Sequence, residues 1–312
     1  MGKIKVLITG GAGFIGSHLT EELLRSGLHV TVVDDFSAGR VANLKACLDS
    51  PNLDIFSLSI TNFRKLQKVC NGMTYIFHLA AMPSVPRSLR DPKATNRANV
   101  NGTLNVLCAA KKAGVAKVVY ASSSSVYGNA SALPAKESML PSPLSPYAAS
   151  KLAGECYCAS FTASYGLPTV CLRYFNVYGP RQNPALKNPA VIPGFIESIK
   201  QGKPPVIFGS GLQTRDFTFV KDVVNANILA AKSKATGVFN VGTGVNISLR
   251  SLAKNISAVM GRGDLTPVFD DPRPGDVAQS LADISKARAE LNYMPQVTLE
   301  QGLKITLKEA RK

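Results

Sequence analysis

Thr9-Gly10-Gly11-Ala12-Gly13-Phe14-Ile15-Gly16 decides how the rest of the chain is read. A short apolar run, Lys5–Thr9 (KVLIT), precedes it and reads as a strand; a helical pattern over 17–26 follows. Gly10 permits a tight turn, Gly13 lets backbone approach a pyrophosphate, and Gly16 lets helix pack on strand. The helix start then offers unpaired N–H groups and partial positive charge to phosphates. Asp34 ends a second strand (29–33) 24 residues after Gly10, where a carboxylate can accept both hydroxyls of an adenosine ribose. That carboxylate favours NAD over NADP, whose 2′-phosphate it would repel, although nearby Arg40 keeps NADP open.

Further strands are expected over 54–58, 75–79, 118–121 and 169–174, with a helix near 62–70. Strands alternating with helices predict an α/β fold, a doubly wound parallel sheet covered on both faces. After Asn176 proline and glycine become frequent. This texture predicts a smaller substrate-binding domain of loops and short elements over 176–312, beside a dinucleotide-binding domain over 1–175 with a return segment near 220–243.

The chain has 312 residues, 45% of them apolar, and a net charge of +16. That length supports a sizeable core. No apolar run approaches the roughly 20 residues of a membrane span, and the start lacks the long apolar run of a signal peptide. A cytoplasmic protein is expected. Six cysteines without a CxxC pair and three scattered histidines argue against zinc. The positive charge suits either nucleic acid or an anionic small substrate; it is dispersed, so nucleic acid is not expected. Between 147 and 165 the only charged residues are Lys151 and Glu155, and between 98 and 110 there are none. Helices so poor in charge predict burial on more than one side, hence a homodimer.

Ser145-Pro146-Tyr147-Ala148-Ala149-Ser150-Lys151 carries the chemistry. Ser145 can cap a helix and Pro146 suits its first turn. Tyr147 and Lys151, four apart, share one face. An ammonium beside a phenol stabilises the phenolate, and a drop in pKa from about 10 to about 7 corresponds to roughly 4 kcal/mol. Upstream, Ala121-Ser122-Ser123-Ser124-Ser125-Val126-Tyr127-Gly128 puts four hydroxyls at the end of a buried strand, where ligands of parallel sheets sit.

With TGGAGFIGSHL, VVDDFSAGR, HLAAMPSVPRS, NVNGTLNVL, ASSSSVYG, SPYAASK, LRYFNVYGPRQ, RDFTFVKDV and RPGDVAQSLADISKA in order along nearly the whole chain, the sequence resembles the extended short-chain dehydrogenase/reductases, and among them the nucleotide-sugar 4-epimerases. The resemblance implies a Rossmann domain, a smaller UDP-sugar domain, NAD as cofactor and UDP-hexose 4-epimerisation. It makes Tyr147, Lys151 and Ser123 catalytic. It implies cofactor contacts from Gly10, Gly13, Phe14, Ile15, Gly16, Asp34, Asp35, Ser37, Gly39, Ser59, Ile60, Leu79, Ala80, Ala81, Asn99, Ser122, Tyr147, Lys151 and Phe175. It implies substrate contacts from Ser84, Val85, Arg87, Ser123, Tyr147, Asn176, Val191, Ile207, Arg215, Arg273, Asp276 and Ser280. Arg215 and Arg273 would neutralise the diphosphate; an ion pair of Arg215 with Asp216 is the structural alternative. A small residue at 280 implies room for an N-acetyl group, so UDP-N-acetylglucosamine is expected beside UDP-glucose.

Related 4,6-dehydratases carry Asp-Glu at Ser124-Ser125, and related decarboxylases carry Glu at Ser125, so elimination is disfavoured. UDP-glucuronate epimerases share the serines but tend to have Thr at Asn176; that activity stays open, as does an NAD-sensing or RNA-binding role. One departure is Ser59-Ile60, where the family often has Asp-Ile with the carboxylate reaching adenine.

Overall fold

The structure, a computed structural model, describes residues 4–183, 190–272 and 277–310. In chain order, β1 (Lys5–Thr9) leads to α1 (Phe14–Arg25), β2 (His29–Asp34), β3 (Leu53–Ser57), α2 (Phe63–Cys70) and β4 (Tyr75–His78). The short helices α3 (Val85–Arg90) and α4 (Pro92–Asn96) run through a π turn at Arg97–Asn101 into α5 (Gly102–Ala113). Then come β5 (Lys117–Ser123), α6 (Pro146–Tyr165), β6 (Thr169–Tyr174), β7 (Val177–Tyr178), α7 (Val191–Lys200), β8 (Val206–Phe208), β9 (Thr214–Arg215), β10 (Thr218–Phe219), α8 (Val220–Lys232) and β11 (Gly237–Val241). The chain closes with β12 (Ile247–Ser248), α9 (Leu249–Val259), β13 (Val268–Asp270), α10 (Ser285–Leu291) and α11 (Leu299–Ala310).

Seven strands form one sheet in the order β11-β6-β5-β4-β1-β2-β3. Every pairing in it is parallel. Order reverses between β1 and β4, and in open α/β sheets ligands bind outside the carboxyl ends of the strands at such a switch point. The central strands are buried on both faces: β1 carries Val6, Leu7 and Ile8 at zero exposure, β5 carries Val118 and Val119 likewise. Val6 and Ile8 join one core cluster and Leu7 the other, because successive side chains point to opposite faces. A third cluster, with Tyr178, Phe195, Phe219, Leu252 and Leu303, lies among the later elements.

Local sequence sets the helix ends. Ser145 caps α6, its hydroxyl accepting from the Ala148 N–H at 3.1 Å, with Pro146 in the first turn. Gly166 ends that helix in the left-handed region, φ 66°.

Two expectations need correction. The first helix begins at Phe14 rather than 17, because the cap is Gly13 inside the glycine turn. The chain beyond Asn176 is more helical than its proline and glycine content suggests. Pro193 and Gly194 sit in the first turn of α7, where a missing N–H breaks no helical bond. No helix among the described residues is long and apolar enough to cross a membrane.

Candidate active site

The glycine turn closes tightly at the switch point. Gly10 has φ 73°, and a Cβ there would lie 2.7 Å from the Ala80 nitrogen; one on Gly16 would lie 2.1 Å from the Gly10 carbonyl oxygen. Gly13 caps α1 without any side-chain hydrogen bond, so the first-turn N–H groups of Phe14, Ile15 and Gly16 keep no local side-chain acceptor. This is a cradle for a diphosphate. Asp34 borders it. Its Oδ2 accepts from the Ala12 N–H at 3.0 Å and its Oδ1 from the Phe36 N–H at 2.9 Å. Burial raises the Asp34 carboxyl, and those two bonds partly offset the rise. A side chain on Gly39 would meet Asp34 Oδ2 at 2.8 Å, which explains the bare backbone there. These residues fit a dinucleotide with a free ribose. Asp35 accepts from both the N–H and the hydroxyl of exposed Ser37, at 3.0 and 2.6 Å. Half-buried Ser59 bonds Thr61 at 3.0 Å, and Ile60 is buried, its carbonyl accepting from Asn105 at 3.0 Å.

Behind Leu79, Ala80 and Ala81 runs a buried polar chain. Thr103 donates to the Asn99 carbonyl at 2.5 Å, so its oxygen accepts from His78 Nε2 at 2.9 Å. His78 Nδ1 then accepts from Thr9, 2.7 Å away, and the Thr9 hydroxyl accepts from the Ala80 N–H at 3.3 Å. The chain of donors assigns the Nε2–H tautomer. Burial, with Lys151 nearby, pushes His78 down to about 3, so it stays neutral. Asn99 is 1% exposed. Its amide oxygen accepts from the Met82 N–H at 2.7 Å and its nitrogen donates to Ser150 at 2.9 Å. Expected to touch the cofactor, Asn99 ties the loop after β4 to α6.

Tyr147, Lys151 and Ser123 meet where β5 ends against α6. Burial pushes the Tyr147 phenol above its ordinary value, and a hydrogen bond with Ser123 pulls it partly back. The Lys151 ammonium donates to the Ala121 carbonyl at 2.8 Å and lies 5.9 Å from the centre of the Tyr147 ring. Burial lowers Lys151 to about 8, against an opposing pull from Glu155. In the protein by itself, burial outweighs the pull of Ser123 on the phenol. Ser123 also bonds Ser125 at 2.9 Å. Ser122, expected to support the cofactor, is 3% exposed and donates to the buried Glu155 carboxylate.

A pocket of about 180 Å³ opens beside this trio. Val85, Phe175, Asn176, Arg215 and Ser280 line it, as does the run Ser124-Ser125. Asn176, φ 30°, donates to the Asp216 carbonyl at 3.0 Å and approaches the Ser280 hydroxyl at 3.4 Å. Arg215 is 7% exposed and donates to the Thr214 carbonyl at 2.9 Å. Asp216 holds the Thr243 N–H and hydroxyl and the Gly244 and Ala282 N–H groups at 2.6 to 3.2 Å. Ser84 caps α3, accepting from the Arg87 N–H at 3.2 Å, and the Arg87 side chain is exposed. Val191 is half-buried at the start of α7. Ile207 lies wholly inside the third core cluster, with no surface open to a ligand. Arg273 and Asp276 fall outside the described residues. The pocket wall from 130 to 144, with Ala130, Leu133 and Leu144, had no expected role. Its single sequence signal is the run of small and apolar residues between two turn-forming stretches.

A parallel sheet with a diphosphate cradle at its switch point and a Tyr–Lys–Ser constellation one strand away defines a nicotinamide-dependent oxidoreductase-type site. The chain belongs to the NAD dependent epimerase/dehydratase family, whose model matches residues 6–242, and its cofactor is NAD. It is 41% identical over 307 residues to the UDP-glucose 4-epimerase of Mycolicibacterium smegmatis, covering 97% of each chain. It is similar to the UDP-N-acetylglucosamine 4-epimerase from Methanobrevibacter ruminantium M1, solved with UDP-N-acetylmuramic acid, at 41% identity and a TM-score of 0.95 over 100% of this chain and 99% of that one. A variant of the UDP-glucuronic acid 4-epimerase from Bacillus cereus, solved with a fluorinated UDP-sugar and NAD, matches at 34% identity and a TM-score of 0.92 over 99% of both chains.

Proposed function

We propose that the chain is a UDP-sugar 4-epimerase that takes UDP-glucose and also UDP-N-acetylglucosamine. The observation that carries the reading is the convergence of Tyr147, Lys151 and Ser123 where β5 ends against α6, beside a pocket lined by Asn176 and Ser280. The glycine turn would hold the NAD diphosphate, and Asp34 would hold the adenosine ribose. Held there, NAD would supply a reversible hydride acceptor for sugar carbon 4, so that the hydride could return to the opposite face. Tyr147, as phenolate, takes the 4-hydroxyl proton during the oxidation and gives it back during the reduction. Ser123 bonds the reacting oxygen and shares its proton with Tyr147. Lys151 contributes positive charge at the phenolate. Arg215 neutralises part of the diphosphate, and Arg273 is the second arginine the sequence offers for it. The absence of a carboxylate at Ser124-Ser125 leaves elimination without its acid and base.

Incubation with each UDP-sugar labelled with deuterium at carbon 4, without added NAD, tests this cycle. The 4-epimer should form with its label retained; loss of label to solvent, or no 4-epimer from any UDP-sugar, would exclude the cycle. Ser280 is 9% exposed and faces the pocket. Ser280→Tyr should lower kcat/KM for the N-acetylated substrate roughly tenfold or more while sparing UDP-glucose. Equal loss on both would remove position 280 from the sugar subsite. UDP-glucuronate is the second substrate to assay, since one of the similar structures is a UDP-glucuronic acid 4-epimerase.

A further inference from the structure

Glu155 is 5% exposed, one helical turn beyond Lys151 and two beyond Tyr147. Its carboxylate grips Arg173 in a fork, Oε1 accepting from Nε at 2.9 Å and Oε2 from Nη2 at 2.7 Å. Oε1 also accepts from the Ser122 hydroxyl. Ser122 and Arg173 are register partners across β5 and β6, so one carboxylate clasps two neighbouring strands at the same rung. Three consecutive β5 residues are thereby tied to three successive turns of α6: Ser123 to Tyr147, Ala121 to Lys151 and Ser122 to Glu155.

A buried ion pair is not an economical way to stabilise a fold, since apolar residues of the same volume often do as well. Its placement on this ladder calls for another reason. The groups facing Lys151 are Tyr147 and Glu155 on its own helix, Tyr120 on β5 with its ring centre 5.1 Å away, and His78 on β4. Those facing Glu155 are Arg173 and Cys171 on β6, Ser122 and Tyr120 on β5, and Lys151. Burial holds Tyr120 and His78 neutral, and a hydrogen bond donated to Cys158 together with burial does so for Cys171. Glu155 is then the negative charge that Lys151 meets. Arg173 carries the link onward: its guanidinium stacks 4.6 Å from the centre of the Tyr127 ring, and the Tyr127 hydroxyl donates to Asn240 at 2.7 Å.

We propose that Glu155 is a positioning residue for the reaction: clasped by Ser122 and Arg173, it fixes α6 on β5 so that Tyr147 meets Ser123, and it sets a negative charge one turn from Lys151. This rests on the epimerase reading for its kinetic consequences but not for its electrostatic ones. Glu155→Gln alone leaves the Arg173 charge buried and unpaired, which threatens folding. The paired variant Glu155→Gln/Arg173→Gln removes both charges and keeps hydrogen-bonding groups of similar shape. The experiment has two arms, both on the purified holoenzyme. In the first, protein labelled with 13C at the lysine ε-carbon is titrated by NMR, with the Lys151 signal assigned by its loss in Lys151→Met. In the second, kcat and KM for UDP-sugar interconversion are measured from about pH 6 to about pH 10.

The paired variant should fold, titrate Lys151 at lower pH than the unaltered protein, and lose roughly tenfold to hundredfold in kcat at little change in KM. The alkaline limb of its kcat profile should move to lower pH. Glu155→Asp, which keeps the charge, should hold that limb in place. An unmoved Lys151 titration in the paired variant overturns the proposal, as does an unmoved kcat profile, even if stability falls. If the unaltered protein interconverts no UDP-sugar, the epimerase reading fails, and the NMR arm still decides on Glu155.

Discussion

Ser123 works against the burial of the Tyr147 phenol. A hydroxyl that donates to the phenolate stabilises the charged form, so it lowers the pKa. Removing it raises the pKa, and a base that must be ionised then needs higher pH. Ser123→Ala should therefore cost roughly 10²-fold or more in kcat and move the acid limb of the profile upward, read from initial rates across pH. An acid limb left in place would mean that Ser123 contacts only the sugar. The residues legible in the sequence were those whose role needs neighbours in the chain. Gly10, Gly13 and Gly16 act within one turn, and Tyr147 and Lys151 lie one turn apart. The hydroxyls of Ser122 and Ser123 point to opposite faces of the same strand, Ser122 onto Glu155 and Ser123 into the site, a difference that four like residues in a row do not display. Glu155 itself passed as one of two charges on a neutral helix; its partner Arg173 lies 18 positions away on another element.

Elements were legible where period and punctuation agree. The expected strand 169–174 coincides with β6, and β4 departs from expectation by one residue. β5 runs two residues past its expected end, since serines at a strand terminus carry no apolar signal. The helices of the last third were hidden by prolines and glycines that occupy helix starts and tight turns. Another device had no local signature at all. Lys117 is 5% exposed at the start of β5, and its ammonium donates to the carbonyls of Ala230, Ser233 and Ala235, the first and last at 3.2 and 3.0 Å. It closes the carboxyl end of α8 from 113 positions away. Lys117→Met should leave those carbonyls unpaired and cost about 3 kcal/mol, seen as a lower urea midpoint at unchanged slope. An unchanged midpoint would mean that water replaces the ammonium.

At the scale of the whole molecule, the exposed face of α6 carries Ala149, Cys156, Ala159, Ser160, Ala163 and Ser164, none of them charged. Beside it on α5 lie half-buried Leu104, Asn105 and Cys108. We expect this face to meet its copy in a homodimer. Sedimentation should give twice the chain mass, and Cys156→Arg should halve it with the fold retained; a monomeric unaltered chain would leave the face without a partner. The charge of +16 should draw in a diphosphate substrate, so kcat/KM should fall with added salt while kcat holds. Salt-independent kcat/KM would show that the surface charge does not steer.

β11 pairs with β6 through five registered residues, Gly237 to Val241. The strand that completes the nucleotide-binding sheet is thus made after most of the chain has left the ribosome. Until it arrives, β6 presents an open hydrogen-bonding edge between apolar faces, the kind of surface that recruits chaperones or other nascent chains. A fragment ending before residue 237 would keep that edge for good, so the cofactor half should aggregate more readily when cut there than when β11 is included.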